Sequence, residues 1–144
     1  MRKPVSPIRR NKSPTVGLLN FNQNEIVSGR TILIVDDEQD LREVISTLLE
    51  AAGYVTVCAS SVSTAFAALH EYTIDLVLTD VLMPDAFGTL LQQWMLDDPS
   101  FKDIPLIFMS GYVPATESLN RPVLKKPFGL TELLAFIQKE FEKE

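Results

Sequence analysis

"TILIVDDEQD", residues 31–40, carries Ile32, Leu33, Ile34 and Val35 without a break into four acids among the next five residues. A β-branched-rich run with no polar alternation is how a strand buried on both faces reads. Asp36 and Asp37 then stand at its carboxyl end, where they need a reason to follow so apolar a segment. Just beyond, Leu41, Val44, Ile45, Leu48 and Leu49 recur at helical spacing and are predicted to be the inner face of a helix that stops at Gly53, a natural residue just past a helix end.

The same rhythm repeats along the chain. "YVTVCA" at 54–59, "IDLVLTD" at 74–80 and "IPLIFMS" at 104–110 read as strands, and the short "VLKK" at 123–126 as a fifth. Ser61 is placed to cap a helix with Ala65, Phe66 and Leu69 inward. A helix carrying Leu90, Leu91, Trp94 and Met95 follows Gly88, and the last is built on Leu130, Leu133, Leu134, Ile137 and Phe141. Strands alternating with helices imply parallel pairing through right-handed crossovers, hence a three-layer α/β domain with helices on both faces of the sheet.

The 144 residues, 46% of them apolar, suffice for one domain with a real core. Cys58 is the single cysteine, so no internal disulfide can form. No apolar stretch approaches the roughly 20 residues that span a bilayer, and the basic beginning lacks the apolar core of a secretory signal, so a cytoplasmic protein is expected. Charge is divided unevenly. Residues 1–30 hold six bases against Glu25, a net of +5, leaving seven bases and eighteen acids from 31 onward, a net of −11. An acidic body repels nucleic acid and anionic membranes, and a basic arm without interleaved aromatics offers only weak, salt-sensitive attraction to them. With Pro4, Pro7 and Pro14, residues 1–30 are expected to be an extension, at least partly disordered, ahead of a domain at 31–144. "LLNFNQNEIV", 18–27, is the part of it apolar enough to pack on the domain.

In an open parallel sheet, ligands collect outside the carboxyl ends of the strands. The polar residues predicted at those ends are Asp36 and Asp37, Asp80, Ser110 and Lys126. Singly each has a plain alternative: acids make turns or cap helices, as expected for Asp40, and a serine before Gly111 suits a turn. In order on successive strand ends they form a site. Three carboxylates brought together repel unless a cation neutralises them, and oxygen-only donors suit a hard divalent ion, Mg²⁺ above all. With only His70 and Cys58 as soft donors, zinc or iron does not fit.

With "VDDE" at 35–38, "LTDVLMPDAFG" at 78–88, "MSG" at 109–111 and "KKPF" at 125–128 in view, the chain from 31 to about 142 resembles a response-regulator receiver domain of two-component signalling. The resemblance implies a flavodoxin-like five-stranded parallel sheet in the order 2-1-3-4-5. It implies that Asp80 takes a phosphoryl group from a histidine of a sensor kinase or phosphotransfer protein. Asp36, Asp37, Asp80 and the main-chain carbonyl of Leu82 would bind Mg²⁺, Ser110 and Lys126 would hold phosphoryl oxygens, and Ser110 would move in the switch. Pro84 and Gly88 would shape the loop after the acceptor, and the peptide before Pro127 would be cis.

Two features depart from the family pattern. Only 15 residues, cut by Pro114 and Pro122, link Ser110 to Lys126, so the fourth helix is expected to be short or absent. Val123 stands where the family has its switch aromatic, which leaves Tyr112 as a substitute or as mere cover for the sheet edge. A stand-alone signalling module, acting through a downstream protein target and not itself an enzyme, is expected; a homodimer stays open. The alternative is a Mg²⁺-dependent phosphatase or phosphotransferase with Asp80 as nucleophile. Such enzymes commonly carry an acid two residues later, where this chain has Leu82.

Overall fold

The structure is a computed structural model that describes residues 8–10, 29–111 and 119–143. Its strands are β1 (Ile8–Arg10), β2 (Thr31–Val35), β3 (Val55–Ala59), β4 (Leu76–Asp80), β5 (Leu106–Ser110) and β6 (Val123–Lys125). The helices are α1 (Gln39–Ala51), α2 (Val62–Glu71), α3 (Gly88–Asp97) and α4 (Leu130–Glu142). The sheet order is β1-β3-β2-β4-β5-β6, and every pair from β3 to β6 is parallel. Counting the parallel strands alone, this is the expected 2-1-3-4-5 order of a doubly wound sheet.

β1 was not foreseen. It pairs antiparallel with β3, Ile8 opposite Cys58 and Arg10 opposite Thr56, so part of the basic extension covers one edge of the sheet. An edge strand offers a row of free backbone groups, and pairing satisfies them. The remainder of residues 1–28 lies outside the described residues.

Opposite faces of the strands feed two cores. Leu33, Val35, Val57, Val77 and Phe108 join α2 and α3 on one side, while Ile32, Ile34, Leu76, Leu78, Ile107 and Met109 join α1 and α4 on the other. All five residues of β2 are buried, which is why its sequence shows no polar alternation. Near the start of β2, the Arg30 guanidinium lies 4.0 Å from the centre of the Phe141 ring, and Tyr54 stacks on the same ring at 6.1 Å. These contacts fasten the last turns of α4 beneath the sheet.

The helix faces need correction at several positions: Leu90 on α3 and Leu130 on α4, both read into the apolar stripes, are 37% and 38% exposed. Val44, expected inside, is 55% exposed, and Ser46 is fully buried in its stead. The Ser46 hydroxyl lies 2.6 Å from the buried Thr56 hydroxyl, which donates to Glu50 Oε2 at 2.9 Å. Each buried hydroxyl finds a partner, so a serine can occupy the inner face while the stripe turns away from Val44. Gly53, with φ +103°, ends α1 in the left-handed region, as its position predicts.

The carboxyl edge is ordered by caps. Ser61 precedes α2 and shares a capping box with Thr64: its side chain accepts from the Thr64 amide at 3.2 Å, and Thr64 Oγ1 accepts from the Ser61 amide at 3.1 Å. Residues 112–118, on which the expectation of a short or absent fourth helix falls, lie outside the described residues. No helix among the described residues is long and apolar enough to cross a membrane. Ser61→Ala is expected to lower stability by about 1 kcal/mol, seen as a lower urea midpoint with an unchanged m-value.

Candidate functional site

The buried strands deliver their terminal side chains to one rim. Asp36 follows β2 and Asp80 ends β4, and since β2 and β4 are parallel neighbours in register, with Val35 opposite Thr79, the two acids emerge side by side. Carboxylate oxygens of Asp36, Asp37 and Asp80 all lie within 4.8 Å of one another. Asp36 is fully buried, Asp37 is exposed and Asp80 is partly covered.

Asp36 is fixed from every side. Its main-chain N–H donates to the Ala59 carbonyl at 3.1 Å, and its own carbonyl accepts from Arg42 Nη1 at 2.7 Å. One carboxylate oxygen accepts from the Glu38 amide at 2.8 Å, and the other accepts from Lys126 Nζ at 3.0 Å. Lys126 follows β6 and reaches back over the rim, where it also donates to Asp80 Oδ2 at 3.1 Å. The ammonium thus bridges two strand ends that lie 46 and 90 residues away from it in sequence.

Charge and burial compete here. Burial pushes the Asp80 carboxyl above its ordinary pKa; Lys126 opposes by charge and hydrogen bond, the neighbouring Asp36 charge adds to the rise, and the Leu82 amide opposes it. For Lys126, burial disfavours the ammonium, but the hydrogen bonds and charges of Asp36 and Asp80 outweigh it and hold its pKa above the usual value. Lys126 touches two of the three acids, so the site retains an appetite for positive charge.

Beyond Asp80 the backbone permits only glycine at one point. A Cβ at Gly88 would collide with the main-chain carbonyl oxygen of Asp80, while the Gly88 amide donates to the Val81 carbonyl at 2.6 Å. The start of α3 is therefore packed directly on the backbone of the acid. Ser110, 4% exposed, ends β5 one register position beyond Asp80, and its carbonyl accepts from the Lys126 amide at 2.9 Å. The Lys126–Pro127 peptide is cis. Tyr112 lies outside the described residues, Val123 is half-buried in β6, and Leu82 turns its side chain out, 55% exposed.

Two participants were not read from the sequence. Arg42 holds the Asp36 carbonyl from the first turns of α1. Asp85, at the tip of the loop after Asp80, accepts hydrogen bonds from the amides of Val62 and Ser63 at 3.0 and 3.1 Å. An aspartate after proline signals a turn, but nothing local announces a partner 22 and 23 residues upstream.

The donor set fits Mg²⁺. Its ligands are all oxygens, one acid is buried and rigid, one is exposed, and ligands about 2.1 Å from a shared ion are themselves separated by up to about 4.2 Å, close to the spread seen. Asp36, Asp37 and Asp80 would hold the ion, which would supply charge to neutralise an incoming anion.

A doubly wound parallel sheet with an acid cluster and a lysine at its carboxyl rim defines a flavodoxin-like architecture with a polar site at the strand ends. Residues 32–138 match the response regulator receiver domain, and the chain belongs to that family. It is 32% identical over 119 residues to the response regulator receiver protein CpdR of Brucella abortus, covering 76% of this chain and 95% of CpdR. It is 34% identical over 113 residues to the phosphate regulon transcriptional regulatory protein PhoB of Pseudomonas aeruginosa, covering 74% of this chain and 49% of PhoB. The chain thus spans half or less of the transcriptional regulators it resembles. Among solved structures, the response regulator TrrA of Thermotoga maritima, in complex with Mg²⁺–BeF, superposes with a TM-score of 0.71 at 25% identity, covering 77% of this chain and 98% of TrrA.

Two substitutions probe the geometry. Gly88→Ala is expected to cost about 1–3 kcal/mol in urea unfolding, because its methyl group meets backbone rather than a side chain that could swing away. Lys126→Met should lose about 3 kcal/mol in the presence of chelator, since it strands the fully buried Asp36 carboxylate and the largely covered one of Asp80, and Mg²⁺ should restore part of that loss in the same titration.

Proposed function

We propose that Asp80 is a phosphoacceptor, taking a phosphoryl group from a phosphohistidine of a sensor histidine kinase or a histidine phosphotransfer protein. The observation that carries this is the Asp80 carboxylate itself. It stands at a strand end within the acid trio, 3.1 Å from Lys126 Nζ, with its side chain 15% exposed and so open to an incoming group.

Phosphoryl transfer asks a protein for in-line positioning and for neutralisation of the equatorial oxygens. A carboxylate oxygen of Asp80 attacks phosphorus, the P–N bond to the donor imidazole breaks, and its electron pair stays on nitrogen. Asp36 and Asp37, with Asp80 and the Leu82 carbonyl, would hold Mg²⁺, which would supply positive charge to neutralise phosphoryl oxygens. Lys126 would supply charge as well, released from Asp80 as the carboxylate becomes an acyl phosphate, a mixed anhydride. Ser110, at the neighbouring strand end, would donate its hydroxyl to a phosphoryl oxygen and carry the change toward the β5–β6 connection. Output would be contact with a downstream protein, and the location cytoplasmic. The receiver family and the Mg²⁺–BeF complex of TrrA support this assignment. The rival phosphatase would want a second acid near the nucleophile, and at position 82 the chain offers only an outward leucine.

Incubation with a small acyl phosphate and Mg²⁺, followed by peptide mass mapping, is the test. One added phosphoryl group at Asp80 is expected, absent from Asp80→Asn and from chelated samples. Labelling at another residue, or none with any phosphodonor or kinase, would overturn the assignment.

A further inference from the structure

The loop that leaves Asp80 is folded back on itself. The Gly88 amide bonds to the Val81 carbonyl at 2.6 Å, Leu82 and Phe87 form an antiparallel bridge, and the Met83 amide donates to the Ala86 carbonyl at 3.1 Å. Pro84 and Asp85 make its tip. Side-chain packing holds one side only: Met83 and Ala86 lie against the core shared with α2 and α3, whereas Leu82 and Phe87 are 55% and 60% exposed.

A polar tie fastens the tip. Asp85 Oδ1 accepts from the Val62 amide at 3.0 Å and Oδ2 from the Ser63 amide at 3.1 Å, the first two amides of α2. A helix leaves its first amides without intrahelical acceptors. Here they are divided between two donors of capping oxygen: Ser61, adjacent in sequence, serves Thr64, and Asp85, from another loop, serves Val62 and Ser63. The Asp85 carboxyl is held below its ordinary pKa; desolvation works against this, but hydrogen bonds from the Val62 and Ser63 amides, its own amide and the Ser63 side chain prevail. Its charge is therefore in place throughout the neutral range.

Leu82 sits between Asp80 and this anchor. We propose that Asp85 is a positioning residue: by pinning the 81–87 loop to the N-terminus of α2, it sets the Leu82 main-chain carbonyl beside Asp80 for the metal. This rests on the reading of Asp80, Asp36 and Asp37 as a Mg²⁺ site, and it adds a residue that touches neither metal nor phosphate. Through the same tie, a shift of the loop on metal binding is passed to the first amides of α2.

Isothermal titration of the full chain with MgCl₂ tests it, comparing wild type, Asp85→Ala, Asp85→Asn and Ser61→Ala. Asp85→Ala is expected to weaken Mg²⁺ about tenfold, the low end for groups that orient metal ligands. Asp85→Asn, with a single acceptor oxygen for two amides, should fall between it and wild type. Ser61→Ala removes a cap from the same helix end and lowers the urea midpoint, yet should leave the Mg²⁺ affinity unchanged. Amide exchange gives a second readout: Mg²⁺ should slow exchange at Val62 and Ser63 in wild type and not in Asp85→Ala. Wild-type affinity in both Asp85 variants, or an equal loss in Ser61→Ala, would overturn the proposal, the latter by showing that only helix stability matters. Failure of wild type to bind Mg²⁺ would instead bring down the metal site itself, and this inference with it.

Discussion

Three carboxylates meet at the end of a buried sheet with one ammonium among them, and that imbalance governs the rest of the site. Like charges a few ångströms apart in a partly dry setting destabilise one another, and Lys126 can hold only two of the three. Asp36 tolerates full burial because each of its carboxylate oxygens has a donor. At Asp80 burial outweighs the support of Lys126 and the Leu82 amide, and the nearby Asp36 charge adds to it, so its carboxyl pKa is raised. A site left short of positive charge suits a cation, and a bound cation would in turn admit an anion. Under the proposed function, metal affinity and phosphoryl acceptance would share one electrostatic origin.

Rigidity makes the imbalance useful. β2 and β4 are buried along almost their whole length, so their terminal acids cannot drift apart to relieve repulsion without disturbing two cores. Gly88 packs α3 onto the Asp80 carbonyl, and Arg42 grips the Asp36 carbonyl from α1. Asp85 adds a third restraint by joining the acceptor loop to α2. Strands supply position, while the helices that follow them hold the turns in which ligand groups sit.

The kinds and order of elements were legible in the chain because each carries its own periodicity. Uninterrupted apolar runs marked doubly buried strands, and spacing of three and four marked helices, with boundaries within a residue or two. Where a polar side chain replaced an apolar one inside, the pattern misled: Val44 fits a stripe that Ser46 in fact occupies, because the hydroxyl of Thr56 on β3 makes serine acceptable there. β1 escaped notice for a related reason. A three-residue strand among basic residues and prolines has no amphipathic signal of its own and exists only because β3 offers an edge.

The sequence by itself determined that acids, a serine and a lysine would stand at the ends of successive strands, since strand ends follow from local hydrophobic runs and parallel order follows from the alternation of strand and helix. Only the tertiary structure decided which of them touch: that Lys126 spans Asp36 and Asp80, that Asp85 reaches α2, that Arg42 closes over Asp36. Hydrogen bonds form over about 3 Å, and contacts at that range between residues tens of positions apart depend on how crossovers and loops bring the backbone together, which no one-dimensional pattern encodes.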